Sequence, residues 1–283
     1  MRNFNKLIDL ELTTKGGVFK VKSPVHGYKP DIEISGSLSM ASMAFGFEVR
    51  LTNFYSDAIN ETTAVTVSAG YEGKMSAGIY GQVQAVYTEK PAPDKVTVLQ
   101  CLTAAYDAWT GKTVNMNLEA GFTLEDALAQ VKDALGFESV SIDGALSGRS
   151  CAAPLAVNGR CSEAVAEIKK AFPGVSITAD GKKLRAFPTD GRRQDATVHA
   201  LSVLTQPPQF SGGTVSITAP WEPMIKPGDY VRFPVTYSKA EFGSVRTDMV
   251  MVNTIQFRFG TNGAANEMVV SGTAVGALGK GEE

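Results

Sequence analysis

Residues 45–101 alternate apolar and polar side chains through four successive runs, and this period of two constrains the fold more than any other feature of the chain. In the first run Phe47, Val49 and Leu51 share one face, whereas the residues between them are charged. A sheet with one apolar face must bury that face and hide its edges, and closure into a small barrel does both. Antiparallel strands are therefore predicted at residues 45–52, 65–71, 79–87 and 96–100.

The same alternation predicts strands on both sides of this region. Residues 7–12, 18–22 and 31–37 complete a first β domain, in which Gly16 and Gly17 form a hairpin turn. Alternation returns after residue 195, where the turn Pro227-Gly228-Asp229 leads into a strand. The strands of this later region are predicted at residues 198–204, 213–219, 230–237, 247–259 and 267–275, which is enough for a second small barrel.

Residues 102–188 follow helical spacing instead. Thr123 is the predicted N-cap of a first helix, Asp126 completes a variant of the capping box, and Gly136 ends the helix. A second helix begins at Ser162 and ends at Pro173-Gly174. The apolar stripes of the two helices are Leu124, Leu128, Val131 and Leu135 in the first, and Val165, Ile168 and Phe172 in the second.

Each predicted helix leads into a similar sequence, Val140-Ser141-Ile142 after the first and Val175-Ser176-Ile177 after the second. Residues 175–178 pair with residues 184–187 through a turn at Asp180-Gly181. This middle region is interpreted as a small insert that contains a βαβ element, with an internal duplication as one explanation of the repeated sequence.

The predicted fold class is β-rich α+β, in which two small antiparallel β-barrels bracket a small α/β insert. A chain of 283 residues exceeds the usual size of a single core, which agrees with several compact parts. The predicted domains are a first β-barrel at residues 1–102, the insert at 103–190, a second β-barrel at 191–275 and a flexible, Gly-rich tail at 276–283.

Composition argues against several classes of function. The net charge of −2 leaves no general basic excess to hold a nucleic-acid backbone. Residues 1–12 lack the pattern of a signal peptide and no apolar stretch approaches the span of a bilayer, so we expect synthesis in the cytosol. The local basic residues are interpreted as a solvated loop and turn: Lys182, Lys183, Arg185, Arg192 and Arg193.

Cysteine and nucleotide motifs give no site. Cys101, Cys151 and Cys161 have no CxxC spacing, so they are interpreted as reduced, packed thiols. A bridge between the last two is sterically conceivable, but the compartment argues against it. The triplet Gly111-Lys112-Thr113 matches the end of a phosphate-binding loop, yet Tyr106 stands where that loop needs its first glycine.

Candidate catalytic groups are isolated in the sequence. His26 and His199 have no metal-ligand spacing, and Ser147 between Gly144 and Gly148 stands one place late for a nucleophile elbow. The adjacent acids Glu125 and Asp126 are better explained as first-turn acids that favour the helix dipole. Aromatic residues at alternating strand positions more often belong to a core or an interface than to a sugar or base platform, and this applies to the candidates Trp109, Trp221, Tyr71, Tyr80 and Tyr230. No catalytic, cofactor-binding or metal site is predicted.

Three pieces of the chain resemble the baseplate hub proteins of contractile-tailed phages, including the late control D type, and the related base of type VI secretion spikes. Residues 47–53, 65–73 and 78–83 look like the first barrel of such a hub. Residues 162–177 with Asp180-Gly181 and Leu184 are similar to its helix-hairpin insert. Lys226-Pro227-Gly228-Asp229-Tyr230-Val231 with residues 252–256 and 267–272 looks like its second barrel.

The resemblance implies assembly rather than catalysis. Such hubs form homotrimers in which two similar barrels per subunit make a pseudo-sixfold ring, and the ring joins a sixfold tail tube to a threefold central spike. The implied partners are the tail tube protein, the central spike protein, and the tape measure and baseplate wedge proteins, with DNA only in transit through the lumen. The implied location is the tail baseplate of the virion, after assembly in the host cytoplasm and without membrane insertion.

Two alternatives belong to other classes of function. The chain can be a tail-associated cell-wall hydrolase, because glycosidases need only two carboxylates at the right separation. It can also be a barrel module that binds carbohydrate or single-stranded nucleic acid through its aromatic residues. A hub differs from both in its lumen wall, which is expected to be polar and neutral to acidic because a basic wall would retain DNA.

Overall fold

The computed structural model describes residues 5–23, 30–40, 45–54, 57–76, 78–89, 94–103, 106–180, 183–189, 194–234, 248–263 and 266–275. The chain divides into two compact units. The β unit comprises Met1–Ser39, Phe45–Cys101 and Thr197–Glu283, and the α/β unit comprises Met40–Ala44 and Leu102–Ala196.

The first part of the chain forms strands where the alternation predicts them. Its elements are β1 (Lys6–Thr14), β2 (Gly17–Ser23), β3 (Asp31–Ser39), β4 (Gly46–Thr52), α1 (Asp57–Asn60), β5 (Thr62–Tyr71), β6 (Lys74–Met75), β7 (Ile79–Glu89) and β8 (Val96–Thr103). The four runs of the 45–101 region are β4, β5, β7 and β8, so the period-two prediction is confirmed there. The hairpin of β1 and β2 is also confirmed, with Thr14 opposite Gly17.

The middle part of the chain alternates short helices and strands. Its elements are α2 (Tyr106–Gly111), β9 (Thr113–Leu118), α3 (Leu124–Leu135), β10 (Ser139–Ile142), a 3₁₀ turn (Gly144–Leu146), β11 (Leu155–Arg160), α4 (Cys161–Ala171), β12 (Val175–Asp180) and β13 (Lys183–Pro188). The two predicted helices are therefore present as α3 and α4. The second begins at Cys161, one residue before the predicted start.

The capping signals of α3 are confirmed. The Thr123 hydroxyl accepts a hydrogen bond from the Asp126 N–H at 3.2 Å, and the Asp126 carboxylate accepts one from the Thr123 N–H at 2.9 Å. At the other end Gly136 has φ 76°, a left-handed conformation that glycine adopts without strain. Local chemistry thus sets both ends of this helix.

The α/β unit has one core between its helices and strands. β10 and β12, which carry the two similar sequences, both pair with β13, the first in parallel and the second antiparallel. β9 and β11 form a separate antiparallel pair. The predicted stripes of α3 and α4 are buried in a single apolar cluster, in which the Phe122 and Phe172 rings meet edge to face at 5.6 Å.

The last part of the chain returns to strands. Its elements are β14 (Val198–Ala200), β15 (Gln209–Ser211), β16 (Thr214–Ala219), β17 (Tyr230–Arg232), β18 (Met249–Gly260) and β19 (Asn266–Ala274). The predicted strand at 198–204 is shorter than expected. The predicted strand at 230–237 ends at Arg232, and residues 235–237 lie outside the described residues, as does the whole tail at 276–283.

The two predicted barrels are not confirmed, because the described strands of both β regions belong to one sheet. Its main path runs β15-β16-β19-β18-β3-β4-β8-β7-β5-β1-β2, with β6 beside β5 and with β17 joining β14 to β18, and this path does not close on itself. The two regions meet where residues 254–260 of β18 pair with residues 33–39 of β3. What is confirmed is a β-rich fold with few helices.

The reason for the single sheet lies in the length of β18. Its first residues pair with β17 along one edge, and further along the same strand residues 254–260 pair with β3, while β19 follows the other edge. A bulge between Val252 and Thr254 separates these two parts of the strand. One apolar cluster accordingly contains Ile34 of β3, Phe259 of β18 and Ile217 of β16.

The predicted domain boundaries at 102, 190 and 275 stay a prediction.

Candidate functional site

The aromatic residues that suggested a binding platform are mostly packed inside the protein. Trp221 is 5% exposed, lies parallel to the Phe257 ring at 5.5 Å and contacts the Phe259 ring at 4.6 Å. Tyr71 meets Phe259 edge to face at 5.7 Å. Tyr230 is also buried, and Trp109 packs against the core of the α/β unit. Core packing, the simpler of the two interpretations, is the one these contacts favour.

The hydroxyl of Tyr71 connects the two β regions inside the β unit. It lies 2.7 Å from Asn266 Oδ1 and 3.1 Å from the Trp221 carbonyl oxygen, and it can donate its single proton to either acceptor. Burial raises the pKa of Tyr71, and the hydrogen bond to Asn266 offsets part of this rise. The phenol is therefore a neutral donor that holds β5 to the region of β16 and β19.

His199 and Asp229 form a mostly buried pair in the β unit. His199 Nε2 lies 3.1 Å from Asp229 Oδ2, and the two side chains are 14% and 6% exposed. The same carboxylate oxygen accepts the backbone N–H of Lys226 at 3.1 Å. This pair fastens the predicted Pro227-Gly228-Asp229 turn to β14, which is a structural role. His26 lies outside the described residues.

The adjacent acids Glu125 and Asp126 and the triplet Gly111-Lys112-Thr113 all belong to local secondary structure. Asp126 serves the cap of α3, and the hydrogen bonds from Thr123 lower the pKa of Asp126. Glu125 stands beside it in the same first turn. Gly111 ends α2 and Thr113 begins β9, so the triplet joins a helix to a strand instead of wrapping a phosphate.

The three thiols are free in the structure. Burial, with a smaller contribution from the charge of Glu48, raises the pKa of Cys101 to about 12. Burial also raises the pKa of Cys161, whereas Cys151 is half-buried. A thiol with a raised pKa is a poor nucleophile at neutral pH, so Cys101 and Cys161 act as packing groups.

An open groove with polar walls lies in the β unit. Its volume is about 700 Å³, and it follows the seam between β3, β18 and β19. We call it the acidic groove, defined by Asp31, Glu33, Arg258, Glu267 and Val269 together with the neighbouring Gln256, Asn262, Gly263 and Asn266. Three carboxylates and the Arg258 guanidinium line it, and the Lys6 ammonium lies at its rim 3.1 Å from the Gly263 carbonyl oxygen, which still leaves a net negative charge.

One ion pair crosses the seam within the acidic groove. Arg258 reaches both carboxylate oxygens of Glu33, with Nε at 2.7 Å and a terminal nitrogen at 3.0 Å. These hydrogen bonds raise the pKa of Arg258. Among the described residues no ion-pair partner is found for Asp31 or Glu267. Two carboxylates of the groove are thus available to a cationic partner.

Two consecutive exposed apolar side chains lie at the end of the first hairpin. We define the hairpin tip as residues 15–19. Within it Val18 is 59% exposed and Phe19 is 41% exposed, although Phe19 stands opposite the fully buried Leu12. In the described part of the chain β2 pairs only with β1, so its outer edge is an unpaired sheet edge.

The hairpin tip and the acidic groove were not found by sequence reasoning. Alternation places Asp31 and Glu33 on the polar face of one strand and Arg258 on the polar face of another. It does not show which strands pair, so it could not predict that these side chains meet. The signal for the tip was available, because Val18 and Phe19 are consecutive apolar residues next to a glycine turn.

Metal-ligand clusters and membrane-spanning helices are both absent from the described residues. They contain no group of three or more His, Cys, Asp or Glu side chains placed to hold a metal ion. Within the same residues no helix is both long and apolar enough to cross a bilayer.

Comparison with known proteins identifies the fold. No protein-family model matches the chain, and no curated protein matches it in sequence. Among solved structures it is similar to the 43 kDa tail protein of prophage MuSo2 from Shewanella oneidensis, with a TM-score of 0.65 and 11% identity over 94% of this chain and 96% of that one. It is also similar to the tail protein of Neisseria meningitidis MC58, with a TM-score of 0.59 and 10% identity over 95% and 97% of the two chains.

A third similar structure comes from a secretion system. The c3393 protein of E. coli is a component of the type VI secretion system with structural similarity to the T4 bacteriophage tail proteins gp27 and gp5. Its TM-score is 0.57 at 7% identity, over 89% of this chain and 76% of that one. The chain therefore has the fold of phage tail proteins and of a type VI secretion component.

Proposed function

We propose that this chain is a structural baseplate hub of a phage tail or of a tail-like injection machine. The observation that carries the proposal is the likeness to phage tail proteins over nearly the whole length of the chain. In the proposed assembly three copies form a ring in which the two β regions of each subunit occupy six positions around a lumen. The ring joins the tail tube to the central spike, and the lumen passes the tape measure and DNA.

The proposal includes a location and a set of partners. The hub acts in the tail baseplate of the virion after assembly in the host cytoplasm. Its direct partners are two further copies of itself, the tail tube protein and the central spike protein, with tape measure and wedge proteins as further contacts. The β regions carry the ring, and the α/β unit is the inserted part.

The proposed role is not enzymatic. The residues that first suggested catalysis or sugar binding have structural partners: Asp126 caps α3, His199 pairs with Asp229, and Trp221 is stacked in the core. A cell-wall hydrolase therefore has no residue pair in its favour among these candidates. Incubation of the protein with purified cell wall should release no soluble fragment, and release that an acid-to-amide substitution abolishes would contradict the proposal.

The assembly state is the direct test. Sedimentation velocity and native mass spectrometry of the full chain should give a particle of three times 30.0 kDa, about 90 kDa, and the mass of the spike protein should be added to this when the spike protein is present. Electron-microscope projections of that particle should show threefold symmetry and a central opening. A stable monomer in every one of these conditions would overturn the hub.

A further inference from the structure

We propose that the hairpin tip of one copy of this chain docks into the acidic groove of a second copy. This rests on the proposed function, since it names the contact that would hold the subunits of the ring together. The tip supplies exposed apolar side chains and a lysine, and the groove supplies a concave surface with two carboxylates that have no ion-pair partner among the described residues.

The tip has the shape and rigidity of a docking element. Thr14 fixes the turn, because its hydroxyl accepts the Gly16 N–H at 3.2 Å and donates to the Gly17 carbonyl at 3.0 Å. Gly17 has φ 132°, which favours glycine at that position. An element that is already ordered before binding loses little entropy when it docks.

The exposed apolar side chains of the tip indicate a surface that another molecule covers. Val18 and Phe19 lie at an unpaired sheet edge, an arrangement that soluble proteins normally avoid by placing charges there. Further along β2 the charges are present: Lys20 pairs with Glu11 at 2.6 Å, and Lys22 is exposed. The lack of such protection at residues 18 and 19 therefore marks them as contact residues.

Charge complementarity selects the groove as the receiving surface. Lys15 is exposed in the turn, and no ion-pair partner is found for it among the described residues. The groove carboxylates of Asp31 and Glu267 likewise have no ion-pair partner among the described residues. Val269 and the aliphatic stem of Arg258 offer apolar contact for Val18 and Phe19 between those charges.

The dimensions of the β unit make the occupant a second copy. Lys6, the first residue of β1, donates a hydrogen bond to the Gly263 carbonyl at 3.1 Å, so this end of β1 lies at the groove. The tip lies at the other end of β1, roughly 26 Å away at the rise of an extended strand. A tip cannot reach the groove of its own subunit, whereas the tip of a neighbour can.

The contact also has the right symmetry. The tip and the groove are different surfaces, so the contact is head-to-tail, and such contacts close into a ring when the rotation between copies is a third of a turn. Each subunit of a trimer would then give one tip and receive one tip, which leaves no apolar tip uncovered.

Disulfide trapping tests the contact directly in the full chain. With Cys151→Ser removing the half-buried thiol, Val18→Cys combined with Glu267→Cys should give a covalent trimer on mild oxidation, without longer species. Mixing the Val18→Cys chain with the Glu267→Cys chain should give a disulfide between unlike chains, and neither single variant alone should form disulfide-linked trimers. Absence of these products from a wild-type-like trimer would overturn the docking contact and leave the hub proposal standing.

Charge and apolar substitutions give a second measurement. Phe19→Asp should raise the trimer dissociation constant roughly thirtyfold or more, since it removes a central apolar anchor. Lys15→Glu should raise it roughly tenfold, and Glu267→Lys in the same chain should restore it. Val203→Asp is the matched control, because Val203 is 60% exposed but lies outside the tip, and this variant should assemble normally.

The possible results separate the two proposals. A wild-type chain that stays monomeric with and without the spike protein contradicts the hub and the contact together. A trimer that tolerates Phe19→Asp and Lys15→Glu contradicts only the contact. If these variants trimerise normally but fail to bind the tail tube protein, then the tip serves the tube and the second-copy assignment is wrong. Melting curves of each variant establish that the chain is folded.

Discussion

The β unit and the α/β unit bury similar apolar cores by different means. In the α/β unit the strands and capped helices that share a core lie within residues 106–188 of the chain. In the β unit β3 pairs with β18, so that Ile34 stands opposite Phe259 although more than two hundred residues separate them. The α/β unit is therefore stabilised mainly by local signals, and the β unit depends on contacts between distant parts of the chain.

The largest effect on stability is expected from replacing one buried phenylalanine in each unit. Phe259 is 0% exposed and contacts Tyr71 and Trp221, and Phe172 is 1% exposed and contacts Phe122. Phe259→Ala and Phe172→Ala should each lower the free energy of unfolding of their own unit by about 3–5 kcal/mol, because each leaves a cavity. Hydrogen exchange followed by mass spectrometry during a urea titration reports the two units separately.

Each phenylalanine variant is the control for the other. Phe259→Ala should speed exchange in β3 and β18 and leave α3 and α4 protected, and Phe172→Ala should do the reverse. Equal loss of protection in both units from either change would mean that they unfold as one cooperative body, and the comparison would then be wrong.

A smaller effect is expected from the hydroxyl that joins distant strands. Tyr71→Phe keeps the ring against Phe259 and removes the hydrogen bond to Asn266, so the free energy of unfolding of the β unit should fall by about 1–2 kcal/mol. Fluorescence of Trp221 in a Trp109→Phe background follows this unit alone, because the chain has two tryptophans, one in each unit.

The pH dependence of the Tyr71 contribution has a definite sign. The pKa of Tyr71 is raised in the folded protein above its usual 10.0, so the unfolded chain releases the proton first as the pH rises. The stabilisation is complete below pH 10.0 and is lost as the pH rises through the folded pKa. The urea midpoints of wild type and Tyr71→Phe should therefore converge in strong alkali. A difference that stays constant with pH would contradict the conclusion that the protonated Tyr71 hydroxyl stabilises the β unit.

The smallest effect should come from a local signal in the α/β unit. Thr123→Ala removes the N-cap of α3 and should lower the free energy of unfolding of that unit by about 1 kcal/mol. Gln130→Ala, at an exposed position of the same helix, is the matched control and should change little. Circular dichroism of helix content during a urea titration measures both.

Acid should reduce the cost of the Thr123 substitution. Hydrogen bonds from Thr123 lower the pKa of Asp126 below 3.8. The hydrogen bonds to the Asp126 carboxylate therefore stabilise the folded protein above pH 3.8, and this stabilisation is lost as the pH falls through the pKa of the folded state. The difference between wild type and Thr123→Ala should shrink below pH 3.8. A difference that persists there would show that the carboxylate takes no part in the cap.

The same contrast explains what could be predicted from the sequence. The cap at Thr123, the stop at Gly136 and the hairpin turn at Gly16-Gly17 are set by neighbours in the chain, and all three are confirmed. Alternation also predicted which face of β4 is buried, since Phe47, Val49 and Leu51 are all in the core. These features depend on a few adjacent residues and on the period of the backbone.

Strand partners could not be predicted in the same way. The pattern of β18 is equally suited to a second barrel and to pairing with β3, because period two determines the faces of a strand and not its neighbours. The single sheet and the acidic groove both depend on that choice. For the same reason the sequence favoured a core or an interface for Trp221 only as the commoner case, and its neighbours Phe257 and Phe259 became known from the structure.

The seam between β3 and β18 has a consequence for synthesis on the ribosome. Roughly 210 residues must be added between the end of β3 and the start of β18, which takes about 10–40 s at common rates of translation. The α/β unit is complete within that interval and can fold at once, whereas β3 must wait with one edge open. Until β18 has left the ribosome the β unit therefore remains an unfinished sheet, whereas every strand and helix of the α/β unit has already been synthesised.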